Sequence, residues 1–176
     1  GMYLLRGAPK GDGPIVRLIG SGPIMVQVLD AVGKLGEYGV RAELYSATSY
    51  GERRQEGMAC DRYNRLHPTE DAKQPWIEQM LGKASVPVIA VSDNMAAVPD
   101  MIRQWVGGHY TVLGTDGFGR SDTREALRRF FEIDGAAIAL AALSSLVREG
   151  ALDGAVYTEA QAAFGVSTER EDITEL

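Results

Sequence analysis

Short β-rich runs alternate with segments of helical periodicity along this chain, and this alternation restricts the fold more than any other feature of the sequence. The four strongest runs are IVRLI (15–19), VRAELYS (40–46), VPVIAV (86–91) and HYTVL (109–113). Strands that alternate with helices form a mostly parallel sheet with helices on its faces. The sequence therefore predicts an α/β fold.

Helices are predicted where apolar residues recur at spacings of three and four. We expect them from about residue 24 to 35, at 98–106, at 123–131, at 135–150 and near 155–164. Ser21, Asp122 and Asp134 precede three of these segments, and their side chains can accept a hydrogen bond from a first helical turn. The segment TREALRRFF places its leucine and both phenylalanines on one face, so we expect that helix to pack firmly.

The segment 47–83 has no regular apolar pattern. It is polar, and Pro68 and Pro75 interrupt it. Proline ends or kinks a helix because it lacks a backbone N–H. We therefore expect a long connection with short helical stretches around 52–55 and 76–81.

Length and charge exclude several classes of protein. A chain of 176 residues suits one domain, 1–176, since a domain takes roughly 100 to 200 residues. The net charge of −6 provides no basic stripe for phosphates, so we expect no nucleic-acid partner. The last residues, STEREDITEL (167–176), carry many charges and little apolar surface, and we expect a flexible tail there.

The location is expected to be cytoplasmic, with no membrane partner. No apolar run approaches the ~20 residues that a membrane helix needs. The N-terminal GMYLLRGAPKG lacks the basic segment and apolar run of an export signal. Cys60 is the single cysteine, which excludes an internal disulfide and agrees with a reducing compartment.

Two glycine motifs have the residue types of phosphate or metal sites but depart from the known patterns. G-S-G at 20–22 follows a strand, yet Met25 stands where a dinucleotide fingerprint has its third glycine. We interpret it as a tight turn between a strand and a helix, with a weak anion site as the alternative. G-D-G at 11–13 opens the metal motif of thiamine diphosphate enzymes, but the next asparagine is Asn64, too distant for that motif. We interpret it as a loop.

The nucleophiles and histidines do not form a known catalytic or metal pattern. His67 and His109 are the only histidines and lack the spacing of zinc ligands. No serine stands in a G-x-S-x-G elbow. Cys60 and His67 have the residue types of a thiol and its base, but a lone buried thiol is the commoner arrangement. We expect no catalytic, cofactor-binding or metal-ligating residue in this chain.

The most informative stretch is LGTDGFGRSDTREALRRFF (113–131). Its glycines allow tight turning after a strand, and Asp122 is placed to cap the following helix. As a purely structural element it is a strand, an elbow and a helix. As a functional element it projects Asp116, Arg120 and Arg124 at the carboxyl end of a strand, where open α/β sheets bind ligands. The residues alone favour both interpretations about equally.

GTDGFGRSDTREALRRFF closely resembles the C-terminal signature of the homodimeric-type pyruvate dehydrogenase decarboxylating component. The strings YSATSY (45–50), DRYNRLHP (61–68) and VIAVSDNM (88–95) are similar to strings of that family in the same order. Transketolases share a shorter form of the motif, which Gly114, Asp116, Phe118, Gly119 and Ser121 match. The resemblance extends over nearly the whole chain.

The resemblance implies the fold of a transketolase C-terminal domain. That fold is a three-layer α/β/α unit on a five-stranded, mostly parallel mixed sheet with one antiparallel edge strand, for which MYLLR (2–6) is the candidate. It also implies that the chain is a C-terminal fragment of a larger thiamine diphosphate-dependent oxidoreductase. In such enzymes the preceding domains hold thiamine diphosphate and Mg²⁺, and we expect this domain to bind neither.

The resemblance further implies a parent that decarboxylates pyruvate and reductively acetylates lipoyl groups within a multienzyme complex. We expect this domain to be non-catalytic and to help form a homodimer, in contact with the other domains of its own chain and with the dihydrolipoyl acyltransferase component. Gly114, Asp116, Phe118, Arg120 and Arg124 form the candidate interface or anion-binding loop, with Phe118 and Arg120 as the main interface candidates. Two alternatives are a regulatory or partner-binding module and an independent small α/β enzyme that uses Cys60 or Asp116.

Overall fold

A five-stranded mixed sheet forms the centre of the domain in this computed structural model, which describes residues 1–82 and 86–169. The strands are β1 (Met2–Arg6), β2 (Ile15–Ser21), β3 (Arg41–Ala47), β4 (Val88–Ser92) and β5 (Tyr110–Leu113). Their order is β1-β3-β2-β4-β5, and β1 pairs antiparallel with β3 while the other pairs are parallel. The predicted mixed sheet with an antiparallel edge strand is confirmed.

Helices cover both faces of the sheet. They are α1 (Met25–Glu37), α2 (Tyr50–Leu66), α3 (Trp76–Leu81), α4 (Ala97–Asp100), α5 (Arg124–Phe130), α6 (Gly135–Arg148) and α7 (Gly154–Phe164). Adjacent residues of one strand enter different cores: Leu18 packs with α1, α6 and α7, whereas Ile19 packs with α2 and α3. Because side chains alternate across a strand, these two cores lie on opposite faces. The predicted three-layer α/β/α arrangement is confirmed.

The position of β4 in the middle of the sheet explains why its sequence is a continuous apolar run. All five of its residues are buried, and β2 and β5 flank it. Ile89 and Val91 belong to one core and Val88 and Ala90 to the other. Full burial of an aliphatic side chain contributes roughly 1.5–3 kcal/mol, so β4 anchors both layers at once.

Two of the three predicted caps need correction. Asp134 caps α6 as predicted, because its carboxylate accepts the Ala137 N–H at 2.9 Å. Thr123, and not Asp122, caps α5: its hydroxyl accepts the Ala126 N–H at 3.2 Å, since the helix begins one residue later than predicted. Ser21 makes no side-chain cap. Pro23, two residues on, has no N–H to donate, and the chain passes through a 3-10 turn before α1.

The expectation of short helical pieces between 47 and 83 was wrong for its first half. Residues 50–66 form the 17-residue helix α2, which Ser49 caps by accepting the Glu52 N–H at 3.1 Å. Only Tyr50, Gly57 and Cys60 are buried on it. Such a narrow buried stripe does not produce the broad apolar periodicity by which amphipathic helices are recognised.

The continuous helix predicted at 98–106 is divided into α4 and a 3-10 turn at Arg103–Trp105. In a continuous helix the Pro99 carbonyl would accept the Arg103 N–H. Here it accepts the hydroxyl of Tyr110 at 2.7 Å. This bond joins the loop to β5, and the predicted apolar residues Ile102 and Trp105 still enter the core.

The C-terminal helices agree better with prediction. Helix α6 ends before Gly150, whose φ of 72° favours glycine, and α7 spans the segment expected near 155–164. By length and composition, the described residues contain one stretch able to cross a membrane, Arg124–Arg148. Half of its most apolar window is buried inside the protein, as in a core helix, and α6 packs along α1. Of the tail, residues 170–176 lie outside the described residues.

Candidate functional site

The loops that follow β2, β4 and β5 meet at the carboxyl edge of the sheet. The chain runs from β2 to β3 on one side and returns to β4 on the other side of β2. Such a reversal creates a crevice at the strand ends, where open α/β sheets bind ligands. Arg128 of α5 lies over this edge, since its guanidinium donates to the Pro23 carbonyl at 3.3 Å and its Nε lies 4.0 Å from the Asp93 carboxylate.

The base of the 114–124 loop is fixed to the loop after β4. A Cβ at Gly114 would lie 2.4 Å from the Ala96 nitrogen, so only glycine fits this approach. The Thr115 N–H donates to the Asn94 carbonyl at 3.0 Å. Asp116 accepts the Ala96 N–H at 3.1 Å. Asp116 therefore braces two loops, a role that the sequence does not indicate.

The tip of the loop presents an aromatic side chain to solvent. Phe118 is 79% exposed. Gly117 before it has a φ of 95°, a conformation that glycine adopts readily and other residues rarely. The loop thus has a hydrogen-bonded base and an exposed ring at its tip.

Arg120 and Arg124 point to different cavities. The Arg120 guanidinium lies 4.0 Å from the centre of the Phe130 ring, a cation–π contact. Beside it is a cavity of about 310 Å³ whose lining is Arg120, Ser121, Asp122, Ala126, Leu127 and Phe130. Arg124 lines a larger groove of about 1390 Å³ between α5, α6, α7 and α1. The five predicted site residues thus share one loop but not one pocket.

Helix α5 differs from the expectation that it would pack firmly. None of its residues is buried. Its aromatic residues remain partly exposed, and Phe130 stacks edge-on against Phe131 at 5.0 Å between ring centres. Of the apolar face that the sequence shows, Leu127 and Phe130 line the smaller cavity, and Phe131 packs against the core that contains α6.

Arg128 was missed by the sequence reasoning. It stands four residues after Arg124, and residues four apart share a helix face. That spacing was the available signal. Its side chain is only 12% exposed, and Asp93 and Pro23 both contact it.

The two glycine motifs have structural roles. At 20–22, a Cβ on Gly20 would lie 3.0 Å from the Met25 side chain, which agrees with a tight turn. At 11–13, a Cβ on Gly13 would overlap the Gly39 carbonyl oxygen at 1.9 Å. Arg41 donates to the Gly13 carbonyl at 2.7 Å. This second loop lies at the amino end of β2, away from the carboxyl-edge loops.

These residues do not fit a thiamine diphosphate and magnesium site. The G-D-G segment is held as a lead-in to β2, and within 1–82 and 86–169 no group of three or more His, Cys, Asp or Glu side chains is arranged to hold a metal ion.

Cys60 and His67 have separate partners. The Cys60 thiol donates to the Glu56 carboxylate at 3.4 Å. Burial, and then Glu56, raise the pKa of this thiol, which disfavours the reactive thiolate. His67 Nδ1 lies 2.9 Å from Glu70.

A polar cluster at the end of α2 was not recognised in the sequence. The Tyr63 hydroxyl donates to the Glu70 carboxylate at 2.5 Å, and the Tyr63 and His67 rings stack at 4.4 Å. Lys73 lies 3.7 Å over the Tyr63 ring. The hydrogen bond from Tyr63, and then that with His67, lower the pKa of Glu70. The cluster fastens the exposed segment after α2 to the helix.

Comparison with known proteins decides the family. Residues 1–134 match the family model described as the transketolase-like TK C-terminal domain. The chain belongs to this family.

Curated relatives of this transketolase C-terminal domain are pyruvate dehydrogenase E1 components. The chain is 44% identical over 174 residues to that of Pseudomonas aeruginosa, and the match covers 98% of this chain and 20% of the relative. It is 42% identical to that of Mycolicibacterium smegmatis, with 94% and 18% covered, and 40% identical to that of Escherichia coli, with 97% and 19% covered. The chain spans about a fifth of the length of these relatives and matches their C-terminal part.

Solved structures show the same fold at low identity. A transketolase from Leishmania mexicana matches with a TM-score of 0.56 and 18% identity, over 84% of this chain and 18% of that one. A transketolase from Campylobacter jejuni matches with a TM-score of 0.53 and 19% identity, over 82% and 18%. The transketolase C-terminal fold expected from the resemblance is confirmed.

Proposed function

We propose that this transketolase C-terminal domain is the C-terminal part of a pyruvate dehydrogenase E1 component and serves there in assembly. The identity to E1 components from three bacteria supports the parentage, since each is matched over nearly all of this chain. The parent would be a cytoplasmic, thiamine diphosphate-dependent homodimer that decarboxylates pyruvate and reductively acetylates lipoyl groups.

The observation that supports the assembly role is the exposure of Phe118 on a braced loop. The Phe118 ring is 79% exposed. A partner that covers it removes apolar surface from water, which favours binding. The bonds of Thr115 and Asp116 hold the base of the loop before a partner arrives. A preorganised loop loses less conformational entropy on binding than a mobile one. Such a loop is suited to a permanent contact.

The cofactor is assigned to the rest of the parent chain. Thiamine diphosphate and Mg²⁺ would be held by the preceding domains, and this domain would bind neither. The roles of Gly13 and Arg41 in shaping the lead-in to β2 support this assignment, because they account for the G-D-G segment without a metal.

The experiment is calorimetric titration of the 176-residue chain with thiamine diphosphate and Mg²⁺, together with an assay of pyruvate turnover. We expect no saturable heat and no turnover. Stoichiometric binding or turnover by this chain would overturn the proposal. In the parent chain, deletion of the segment that corresponds to this domain should abolish the dimer. A dimer that persists unchanged would refute the assembly role.

A second candidate is a partner-binding module. Arg120 contacts the Phe130 ring, Arg124 lines the larger groove, and both are exposed, so an anion or an acidic segment of the dihydrolipoyl acyltransferase component can reach them. Titration with inorganic phosphate, followed by amide chemical shifts around Arg120, tests it. Saturable shifts there would favour this function, and silence would remove small-anion binding.

A further inference from the structure

The edge strand β1 carries three consecutive large apolar side chains that the domain leaves about half exposed. Tyr3, Leu4 and Leu5 are 50%, 49% and 48% exposed. Within residues 1–82 and 86–169, no other segment has three consecutive exposed residues of this kind. Natural proteins usually protect a sheet edge with charged residues or proline, because an apolar edge associates with other surfaces. This edge therefore has the composition of a surface that another part of the protein covers.

The exposed side chains lie on both faces of the sheet. Leu4 is opposite Tyr45 of β3, whose side chain belongs to the core beneath α2 and α3, so Leu4 is on that face. Tyr3 is on the other face, because successive side chains alternate. Trp76, at the start of α3, is 42% exposed and lies beside β1, since its indole N–H donates to the Met2 carbonyl at 3.2 Å. We refer to Tyr3, Leu4, Leu5 and Trp76 as the edge patch.

The backbone of β1 offers little to an added strand. The Gly1 carbonyl accepts the Thr48 N–H at 2.7 Å, so the next carbonyl, that of Met2, faces the open side of the strand. Trp76 already donates to that carbonyl. At the other end, a shift in the pairing register interrupts the strand after Leu4. The edge patch is therefore suited to contacts through its side chains and not to pairing with β1 of a second copy.

The part of the parent chain that precedes residue 1 is the occupant that the covalent connection favours. The matches cover about a fifth of each relative, at its C-terminal part, so most of the proposed parent precedes this domain. The connection enters at a fixed point, because the Gly1 carbonyl accepts from the Thr48 N–H, the Thr48 hydroxyl and the Ser49 N–H at 2.7 to 3.0 Å. A segment joined by a short connection has an effective concentration on the order of mM at a neighbouring surface. A separate copy lacks this advantage.

We propose that the edge patch binds an apolar surface of the domain that precedes it in the same polypeptide, and that this contact fixes the orientation of the C-terminal domain on its own subunit. The inference rests on the proposed parentage but concerns a different surface from the loop after β5. The edge patch is then covered in the parent chain and bare in the 176-residue chain. The groups that cover it belong to the same polypeptide.

Carbene footprinting measures whether the edge patch is covered. The 176-residue chain and the parent chain are each labelled with a photogenerated carbene in the presence of the same reporter peptide, which corrects for the dose. Mass spectrometry then gives the labelling of Tyr3, Leu4 and Leu5. We expect these residues to be labelled in the 176-residue chain, in agreement with their exposure, and several-fold less in the parent chain. Equal labelling in the two chains would refute the contact.

A photo-crosslink in mixed parent chains identifies the polypeptide that covers the patch. An isotopically light parent chain carries Tyr3→benzoylphenylalanine and is mixed with a heavy, unsubstituted chain until the subunits have exchanged. After irradiation, we expect position 3 to be linked to light peptides from the preceding domain. Links to heavy peptides would refute the same-chain contact and indicate a second copy as the occupant. In the control, the probe replaces Leu66, which is exposed on α2 outside the patch, and should not give the same linked peptides.

A pair of substitutions tests whether the contact holds the two domains together. Leu4→Thr with Leu5→Thr removes apolar surface but keeps residues that favour strands. In the parent chain, limited proteolysis of the segment before residue 1 should become at least about 10-fold faster, because cleavage follows the population of the open form. The thermal midpoint of the 176-residue chain should change little, since both leucines are half exposed there. Leu66→Thr is the matched control and should leave the cleavage rate unchanged.

The outcomes separate this inference from the proposed function. An unchanged cleavage rate in the Leu4→Thr, Leu5→Thr parent chain refutes the contact, whatever the dimer does. If the edge patch is protected by its own chain but the dimer survives deletion of the domain, the assembly role fails and the contact stands. If the double substitution also destabilises the 176-residue chain, the footprint and the crosslink, which need no destabilising change, decide the matter.

Discussion

The carboxylate of Asp116 accepts the backbone N–H of Ala96 at 3.1 Å and so ties the loop after β5 to the loop after β4. Hydrogen bonds to a charged group contribute about 1.5–3 kcal/mol when they are protected, and this one is partly buried. Asp116→Ala should therefore lower the free energy of unfolding by about 1–2 kcal/mol, measured by urea denaturation. Asp116→Asn keeps an acceptor oxygen and should lose less than half as much. Equal losses in both variants would mean that the charge, and not the hydrogen bond, is responsible.

Gly57 is required by the packing of α2 on the loop before β5. A Cβ at this position would lie 2.5 Å from the Trp105 ring, whereas at Gly51 of the same helix the nearest atom is 4.0 Å away. Gly57→Ala should destabilise the domain by about 1–3 kcal/mol through overpacking. Gly51→Ala should leave stability unchanged or raise it slightly, since alanine favours helix. Thermal unfolding of the two variants measures this contrast. A Gly57→Ala variant as stable as the unsubstituted protein would contradict the prediction.

The cap of α6 should be the most sensitive of the helix caps. Asp134 accepts the Ala137 N–H at 2.9 Å, and the helix that it begins supplies much of the first core. Asp134→Ala should lower the free energy of unfolding by about 1 kcal/mol, while Asp134→Ser or Asp134→Asn should be nearly neutral. Chemical denaturation measures the three variants. Thr123→Ala is the comparison at α5, where no side chain is buried, and should have less effect on global unfolding.

The Tyr63, His67 and Glu70 cluster should respond to acid. The Tyr63 hydroxyl, followed by His67, lowers the pKa of Glu70 below its ordinary value of 4.5. A carboxyl group with a lowered folded-state pKa stabilises the fold above its unfolded-state pKa, and this contribution is lost as pH falls through the folded-state pKa. Side-chain NMR titration should show Glu70 protonating below pH 4.5. Tyr63→Phe should raise that midpoint toward the ordinary value, and an unchanged midpoint would show that the hydroxyl is not the cause.

The class of the fold and most of its elements were predictable because they depend on local patterns. Short β-rich runs identified four of the strands, and β4, the most continuously apolar of them, is buried over its full length. The acidic cap at Asp134 and the stop at Gly150 bounded α6 because both act through neighbouring backbone groups. The resemblance extended this reasoning to the edge strand β1, whose antiparallel pairing no local pattern shows.

The errors occurred where distant residues decide the outcome. Helix α2 buries only a narrow stripe, and Gly57 is there because Trp105, almost fifty residues later, occupies its face. The division of the segment at 98–106 depends on the Tyr110 hydroxyl, which takes the Pro99 carbonyl. In the candidate loop, the sequence indicated Phe118 and Arg120, while the bracing role of Asp116 depends on Ala96.

The sequence by itself determined that this chain forms an α/β layer structure and which loop carries its distinctive residues, because apolar periodicity, caps and turn glycines act over a few neighbouring positions. Only the tertiary structure decided that Asp116 holds a neighbouring loop, that Phe118 is exposed, and that a cavity lies between Arg120 and α5. These features arise where the ends of separate strands meet. Their distances depend on the packing of the whole sheet, which no short stretch of sequence contains.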